Sequence, residues 1–410
     1  MPYIERAITR ILENRVKNSK CVLLIGARQV GKSTLIKHTF NVFNKANFDD
    51  RLTRLQAKEE PKLFLLNNPC PLFIDEVQKE SSILEDIKIK VDDEDTRGQF
   101  ILTGSQSLEL MKGVSESLAG RISVTELSTL SMREIYGINF NEAFVPTTEY
   151  LNGRAKKLIP YTDIWNRIHR GFYPELYNSD REWTDFYSSY VQTYLERDIN
   201  ELIAADGTTF TKFLTAVAAR TGEVLNYTTI ANQIGVSNPT VKNWISILER
   251  TGIIFLLQPY SANALNRAIK SPKIYFRDTG LACYLTRWLT PEALKNSAVA
   301  GNMFETFVVS EILKSYANAG RDYRFNIFYY RGKDKNTRTD NEIDLIIEEN
   351  GLLYPVEIKL SGDPKTNMSA TNTVLDKVSD KKRGLGVILC LIDKKIYLRE
   401  NLLALPIDYI

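Results

Sequence analysis

The chain has 410 residues, 43% hydrophobic and 25% charged, the proportions of an ordinary globular protein long enough for two or three domains. Its formal net charge of +3 permits contact with nucleic acid without requiring it, because dedicated binders concentrate far more positive charge. Two histidines (His38, His169) and four isolated cysteines (Cys21, Cys70, Cys283, Cys390) argue against a zinc site, and no apolar run approaches the roughly 18 residues of a spanning helix.

The opening residues Met1-Pro2-Tyr3-Ile4-Glu5-Arg6 carry no basic region followed by an apolar core, so a cytoplasmic protein without membrane contact is expected. Apolar runs at Cys21–Ile25, Pro71–Asp75, Phe100–Thr103 and Ile122–Glu126 then alternate with helical segments such as Ser33–Phe43 and Leu63–Asn67. That alternation predicts a parallel α/β sheet covered on both faces.

The first strand delivers the chain into Gly26-Ala27-Arg28-Gln29-Val30-Gly31-Lys32-Ser33-Thr34. Glycines at both ends let backbone N–H groups turn inward onto phosphate oxygens, and the N-terminus of the following helix adds positive potential. Lys32 is expected on the β- and γ-phosphates and Ser33 on Mg²⁺, with Thr34 the weaker alternative. The second strand ends in Asp75-Glu76: Asp75 is expected to hold the magnesium and Glu76 to polarise the attacking water. The third ends in Thr103-Gly104-Ser105, where Ser105, or secondarily Thr103, would orient water near the γ-phosphate. Arg121 would stabilise phosphate charge on its own nucleotide or on that of a neighbouring subunit in a homo-oligomer.

Residues 140–160 read as a connector rich in Asn, Thr, Pro, Gly and Lys, and 185–205 as a long amphipathic helix carrying Phe186, Tyr190 and Tyr194. Within 225–257 a short helix ends at Gly235, Ser237 caps a second with Pro239 in its first turn, and Ile253–Leu257 forms a strand. This pattern predicts a winged helix whose Asn238, Thr240, Lys242 and Asn243 meet DNA, or else a module that docks domains.

Farther on, Ile343–Glu348 and Leu352–Lys359 flank Asn350-Gly351 and predict a β-hairpin. Glu357 and Lys359 then share one face, with Asp344 beside them and Glu305 approaching from the helix Asn302–Tyr316. Carboxylates with a lysine suit metal-dependent phosphodiester cleavage; an amphipathic hairpin with paired charges is the alternative.

These motifs, together with Gly171-Phe-Tyr-Pro-Glu175, Tyr194-Leu-Glu-Arg-Asp198, Ser271–Leu281, Phe304–Val308 and Val356-Glu-Ile-Lys359, resemble the prokaryotic AAA-superfamily ATPases that carry a winged helix and a PD-(D/E)xK nuclease-like region. The resemblance covers most of the chain. It implies ATP rather than GTP, and it maps the nuclease-type pattern onto Glu305, Asp344, Glu357 and Lys359, with a polar insertion at 332–340. The expected organisation is an AAA-type domain over 1–137, a connector and helical region over 138–205, a winged helix over 206–262 and a nuclease-like α+β domain over 263–410. The expected activity is ATP hydrolysis coupled to DNA binding or processing; a nucleotide-controlled switch in signalling or defence, whose C-terminal region binds protein, is the alternative.

Overall fold

The computed structural model describes residues 3–105, 108–199, 207–261, 270–333, 340–378 and 381–410. Strands β1 (Cys21–Ile25), β2 (Asn44–Asn47), β3 (Leu72–Asp75), β4 (Phe100–Gly104) and β5 (Ile122–Glu126) form a parallel sheet in the order β2-β3-β4-β1-β5. Every residue of β1, β3 and β4 is buried, as continuous apolar strands covered on both faces must be. Alternation divides them: Val22, Leu24, Phe73 and Ile101 enter one core cluster, whereas Cys21, Leu23, Ile74 and Leu102 enter another.

The four expected strands are present to within a residue. The edge strand β2 is additional; its sequence Asn-Lys-Ala-Asn buries only Ala46 and shows no apolar run. Two helical expectations change. The helix opened by Lys32 stops at Thr39, and the expected connector contains a helix, Thr148–Ala155, whose first turn is capped by Thr147 accepting from the Tyr150 amide at 3.1 Å.

The helix Trp183–Tyr190 continues as a π-helical stretch over Val191–Ile199, and the last part of the expected 185–205 helix lies outside the described residues. Next come the helix Gly207–Ala218, β6 (Glu223–Val224), the helices Tyr227–Ile234 and Asn238–Arg250, β7 (Ile254–Leu257) and β8 (Lys273–Phe276). Asn226 and Ser237 cap the latter two helices through the Thr229 and Thr240 amides, and Gly235 separates them at φ 75°. The strands pair antiparallel as β6-β8-β7. The boundary expected at 262/263 therefore falls inside this small sheet, because β8 supplies the middle strand.

The C-terminal part is a mixed sheet in the order β14-β15-β13-β11-β10-β9, with β12 (Lys382–Arg383) beside β11. It comprises β9 (Ile327–Lys333), β10 (Asp340–Glu349), β11 (Leu352–Ile358), β13 (Gly386–Cys390), β14 (Ile396–Arg399) and β15 (Leu402–Pro406). The β10–β11 hairpin turns at Asn350-Gly351, both at positive φ (49° and 76°), as its sequence predicts.

A largely buried helix, Ala300–Asn318, joins these parts. From it Lys314 donates to the Leu130 carbonyl at 2.8 Å and sits 3.9 Å over the Phe172 ring, while Glu311 accepts from the Met132 amide at 2.8 Å. Arg6 pairs with Glu134 at 2.9 Å, both fully enclosed, and Arg277 pairs with Glu126. One hydrophobic cluster runs from Ile8 to Ile410 through all three parts.

Candidate functional site

The glycine loop leaves the C-terminal edge of β1, between β4 and β5. A side chain at Gly26 would place its Cβ 2.3 Å from the Leu127 carbonyl oxygen, and Gly31 adopts φ 93° at the head of the Lys32–Thr39 helix. Both positions thus require glycine on steric grounds. Lys32 is buried, and its Nζ donates to the carbonyls of Gly26 (3.1 Å) and Ala27 (2.9 Å). Burial lowers its pKa to about 8, against the opposing pull of Glu76 and Asp75.

Ser33 Oγ donates to Asp75 Oδ1 at 2.8 Å, and Thr103 Oγ1 donates to the same oxygen. Strand β4 lies between the strand of the glycine loop and the strand of Asp75, which places Thr103 in reach of the carboxylate. Glu76 takes a left-handed backbone conformation (φ 57°, ψ 43°), unusual for a non-glycine residue and common where chemistry needs a fixed side chain. Its carboxylate accepts from Gln78 Nε2. A cleft of about 640 Å³ is lined by Lys32, Ser33 and Glu76 and, among others, by Tyr3, Arg28, Gln29, Thr34, Glu175 and Arg181. Its size suits a nucleotide, and its donors suit a triphosphate: the ammonium of Lys32 and the head of a helix. Ser33 and Asp75, already in contact, are the residues that would hold a magnesium ion.

Two expectations shift. Of the two hydroxyls expected to orient water, Thr103 is the one that contacts Asp75, while Ser105 follows β4 half-buried at the same edge. Arg121 precedes β5 at the opposite edge, since Ile122 pairs with Cys21 at the start of β1. A five-residue strand spans about 15 Å, so Arg121 cannot serve its own chain's nucleotide. Its guanidinium is instead bidentate on Asp92, at 2.5 and 3.0 Å.

Three of the four C-terminal residues come into direct contact, and Glu305 bonds other partners. Lys359 Nζ lies 2.9 Å from both Asp344 and Glu357, and Asp344 also accepts from the Ile358 amide at 2.8 Å. Glu305, from the long helix, bonds Lys273 Nζ at 3.0 Å and the Tyr275 hydroxyl at 2.6 Å. Lys273, only 2% exposed, also pairs with Glu342 at 2.6 Å. Burial, and then the charge of Asp344, push Glu357 up despite Lys359; burial also raises Glu305 despite Lys273. Among the described residues, no three Asp, Glu, His or Cys side chains are grouped so as to hold a metal ion. Two lysine ammonium groups stand among the carboxylates instead.

Sequence reasoning missed Gln78, Lys273, Tyr275 and Glu342. The Asp75-Glu76-Val77-Gln78 run offered a local signal for Gln78, but Lys273 and Tyr275 meet Glu305 only through the pairing of β8, which no local pattern announces.

Residues 18–136 match a family described as an AAA domain; residues 161–292 and 300–410 match two described as domains of unknown function, DUF8612 and DUF4143. Uncharacterized proteins of Mycobacterium tuberculosis and Mycobacterium bovis are each 28% identical over 372 residues, 89% of this chain and 76% of theirs. An uncharacterized protein of Methanocaldococcus jannaschii is 24% identical over 379 residues, 87% of this chain and 78% of its own. Among solved structures, the Walker-type ATPase of Pyrococcus abyssi is 17% identical, aligning over 69% of this chain and 96% of that one at a TM-score of 0.41. The glycine loop, the Asp75-Glu76 strand end and the parallel sheet all lie in the segment 18–136 that is similar to the AAA-domain family, and together they have the form of a P-loop nucleotide site.

Proposed function

We propose that this chain is a Mg²⁺-dependent ATP hydrolase that couples the nucleotide cycle to DNA binding by its central and C-terminal regions. The observation that carries the hydrolase reading is the convergence of Lys32, Ser33, Asp75, Thr103 and Glu76 at one edge of the parallel sheet. Lys32 exchanges its loop carbonyls for phosphate oxygens, Ser33 and Asp75 hold the metal, and Glu76 orients and deprotonates water. Bound magnesium neutralises phosphate charge. Arg121 remains available only to a neighbouring copy's nucleotide.

The DNA reading is supported by the central element order, helix–strand–helix–helix–strand–strand with a three-stranded antiparallel sheet, which is that of a winged helix. Lys242 and Asn243 are exposed on its second capped helix. The turn that ends this helix lies beside the glycine loop, so that a Cβ added at Gly252 would meet Ala27 at 3.6 Å. The carboxylate–lysine quartet supports a PD-(D/E)xK-like fold for the C-terminal region. Lys273, paired with Glu305 and Glu342, occupies the carboxylates a metal would need and so favours DNA binding over cleavage.

Steady-state ATP turnover, with and without single-stranded and duplex DNA, tests the proposal. Lys32→Ala should weaken ATP binding, and Glu76→Gln should preserve binding while slowing hydrolysis at least tenfold. Hydrolysis by Glu76→Gln at the wild-type rate refutes the assignment of the base; turnover indifferent to every DNA at low salt refutes the coupling.

A further inference from the structure

The polar face of the helix Gly207–Ala218 is the strongest feature that the ATP site does not use. Its opposite face buries Phe210, Phe213, Leu214 and Val217, whereas Thr208, Thr211, Lys212 and Thr215 face an open groove of about 1020 Å³. The far wall comes from Gln233 and Ile234 and from Arg287. Three cations, Lys212, Arg220 and Arg287, line this groove, and among the described residues no carboxylate does. Arg220 is held by neutral acceptors, the Ala216 carbonyl at 2.6 Å and Gln233 Oε1, so its charge stays uncompensated by its hydrogen bonds. No ion pair to Lys212, Arg220 or Arg287 occurs among the described residues.

At Thr215 and Ala219 the groove adjoins a second cavity of about 230 Å³, whose walls include Trp288, Val299 and Met303. Arg287 and Trp288 are consecutive, so the cationic groove and the aromatic cavity meet at one turn. Hydroxyls and fixed cations along a channel suit a phosphodiester backbone. An apolar cavity with an indole beside it suits an unstacked base, which a duplex does not offer.

We propose that this groove binds the backbone of a single DNA strand, with one unstacked base lodged against Trp288. The proposal rests on the DNA reading above and assigns that contact to a surface separate from the helix Asn238–Arg250. Lys212 and Arg287 supply the phosphate contacts. Arg287 adopts φ 60°, a conformation asparagine tolerates, so Arg287→Asn removes charge without straining the turn.

The test is fluorescence anisotropy of the full chain with a labelled twenty-nucleotide oligo-dT and with a labelled twenty-base-pair duplex, across a salt series. In Lys212→Gln/Arg287→Asn, single-strand affinity should fall about tenfold or more. The slope of log affinity against log salt should flatten by roughly 1.4, at about 0.7 per lost phosphate contact. Trp288→Phe should retain binding, and Trp288→Ala should weaken it about tenfold. Lys242→Gln should weaken duplex binding and leave the single strand untouched. ATP turnover without DNA should be unchanged in Lys212→Gln/Arg287→Asn. An unchanged single-strand slope in that variant, with Lys242→Gln still weakening duplex binding, overturns the groove and leaves the DNA reading standing. Wild-type protein that binds neither probe at low salt overturns both.

Discussion

Thr103→Val isolates the hydroxyl that sequence reasoning ranked second. Thr103 is fully buried in the middle of the sheet and donates to Asp75 Oδ1, the oxygen that also accepts from Ser33 at 2.8 Å. Valine keeps the branched shape suited to a central strand and removes only the donor. A hydrogen bond to a charged acceptor contributes about 1.5–3 kcal/mol. If that contribution keeps Asp75 in its productive position, hydrolysis should slow roughly 10- to 150-fold, at about 1.4 kcal/mol per factor of ten. Asp75 retains its bond from Ser33, so nucleotide affinity should change much less. Turnover by phosphate release, beside titration of a fluorescent ATP analogue, separates the two. Hydrolysis within twofold of wild type in Thr103→Val, with Ser105→Ala abolishing it, would refute this reasoning and return the role to Ser105.

Gly252→Val imposes a β-branched residue at φ 75° against Ala27 and should raise the ATP dissociation constant several-fold; Gly351→Val, at φ 76° in a distant hairpin turn, should cost about 1–2 kcal/mol of stability without changing ATP affinity. Equal ATP affinity in both variants would sever the proposed contact with the glycine loop. Lys273→Met leaves Glu305 and Glu342 without their shared cation and should destabilise by about 3 kcal/mol in urea unfolding at pH 7; an unchanged midpoint would show that the cluster is solvated. Glu134→Gln strips a buried charge from Arg6 and should cost about 3 kcal/mol at neutral pH. Burial raises the Glu134 pKa, but Arg6 and hydrogen bonds from the Ser131 and Ala7 amides outweigh it, so the net shift is downward. That contribution is therefore complete above about pH 4.3 and is lost as pH falls through the lower folded value, so the two proteins should converge in acid. A gap that widens in acid contradicts the sign.

The parallel sheet was legible because its strands are short uninterrupted apolar runs, and the glycine loop because Gly26 and Gly31 meet steric demands that no other residue satisfies. Strand β2 was not: an edge strand needs one neighbour and no apolar face, and Asn44-Lys45-Ala46-Asn47 supplies neither run nor alternation. That Glu357 and Lys359 share a face beside Asp344 could be read from the hairpin's period of two, yet the partners of Glu305 could not. Lys273 reaches Glu305 and Glu342 only because β8 pairs with β7 and β6 beside the Ala300–Asn318 helix. The pairing of Arg121 with Asp92 likewise depends on which edge of the sheet an arginine occupies, a property of strand direction rather than of local sequence.

Under the proposed function, the same geometry bounds how strongly nucleotide can act on the parts assigned to DNA. Gly26 approaches the Leu127 carbonyl too closely for any side chain, Gly252 lies beside Ala27, and the Val30 carbonyl accepts from Arg6 at 2.8 Å, so three separate stretches of the chain flank the loop. A phosphate that recruits Lys32 draws its ammonium from the carbonyls of Gly26 and Ala27, the two residues beside Leu127 and Gly252. Those two bonds, each about 1.5–3 kcal/mol because the donor is charged, bound what the exchange can transmit to the end of the Asn238–Arg250 helix. A coupling of about 1–3 kcal/mol lies within that bound and corresponds to a change in DNA affinity of roughly 5- to 150-fold. Linkage makes the effect reciprocal: DNA held by that helix must change ATP affinity by the same factor, and a nucleotide that leaves the Lys32 bonds intact must change neither.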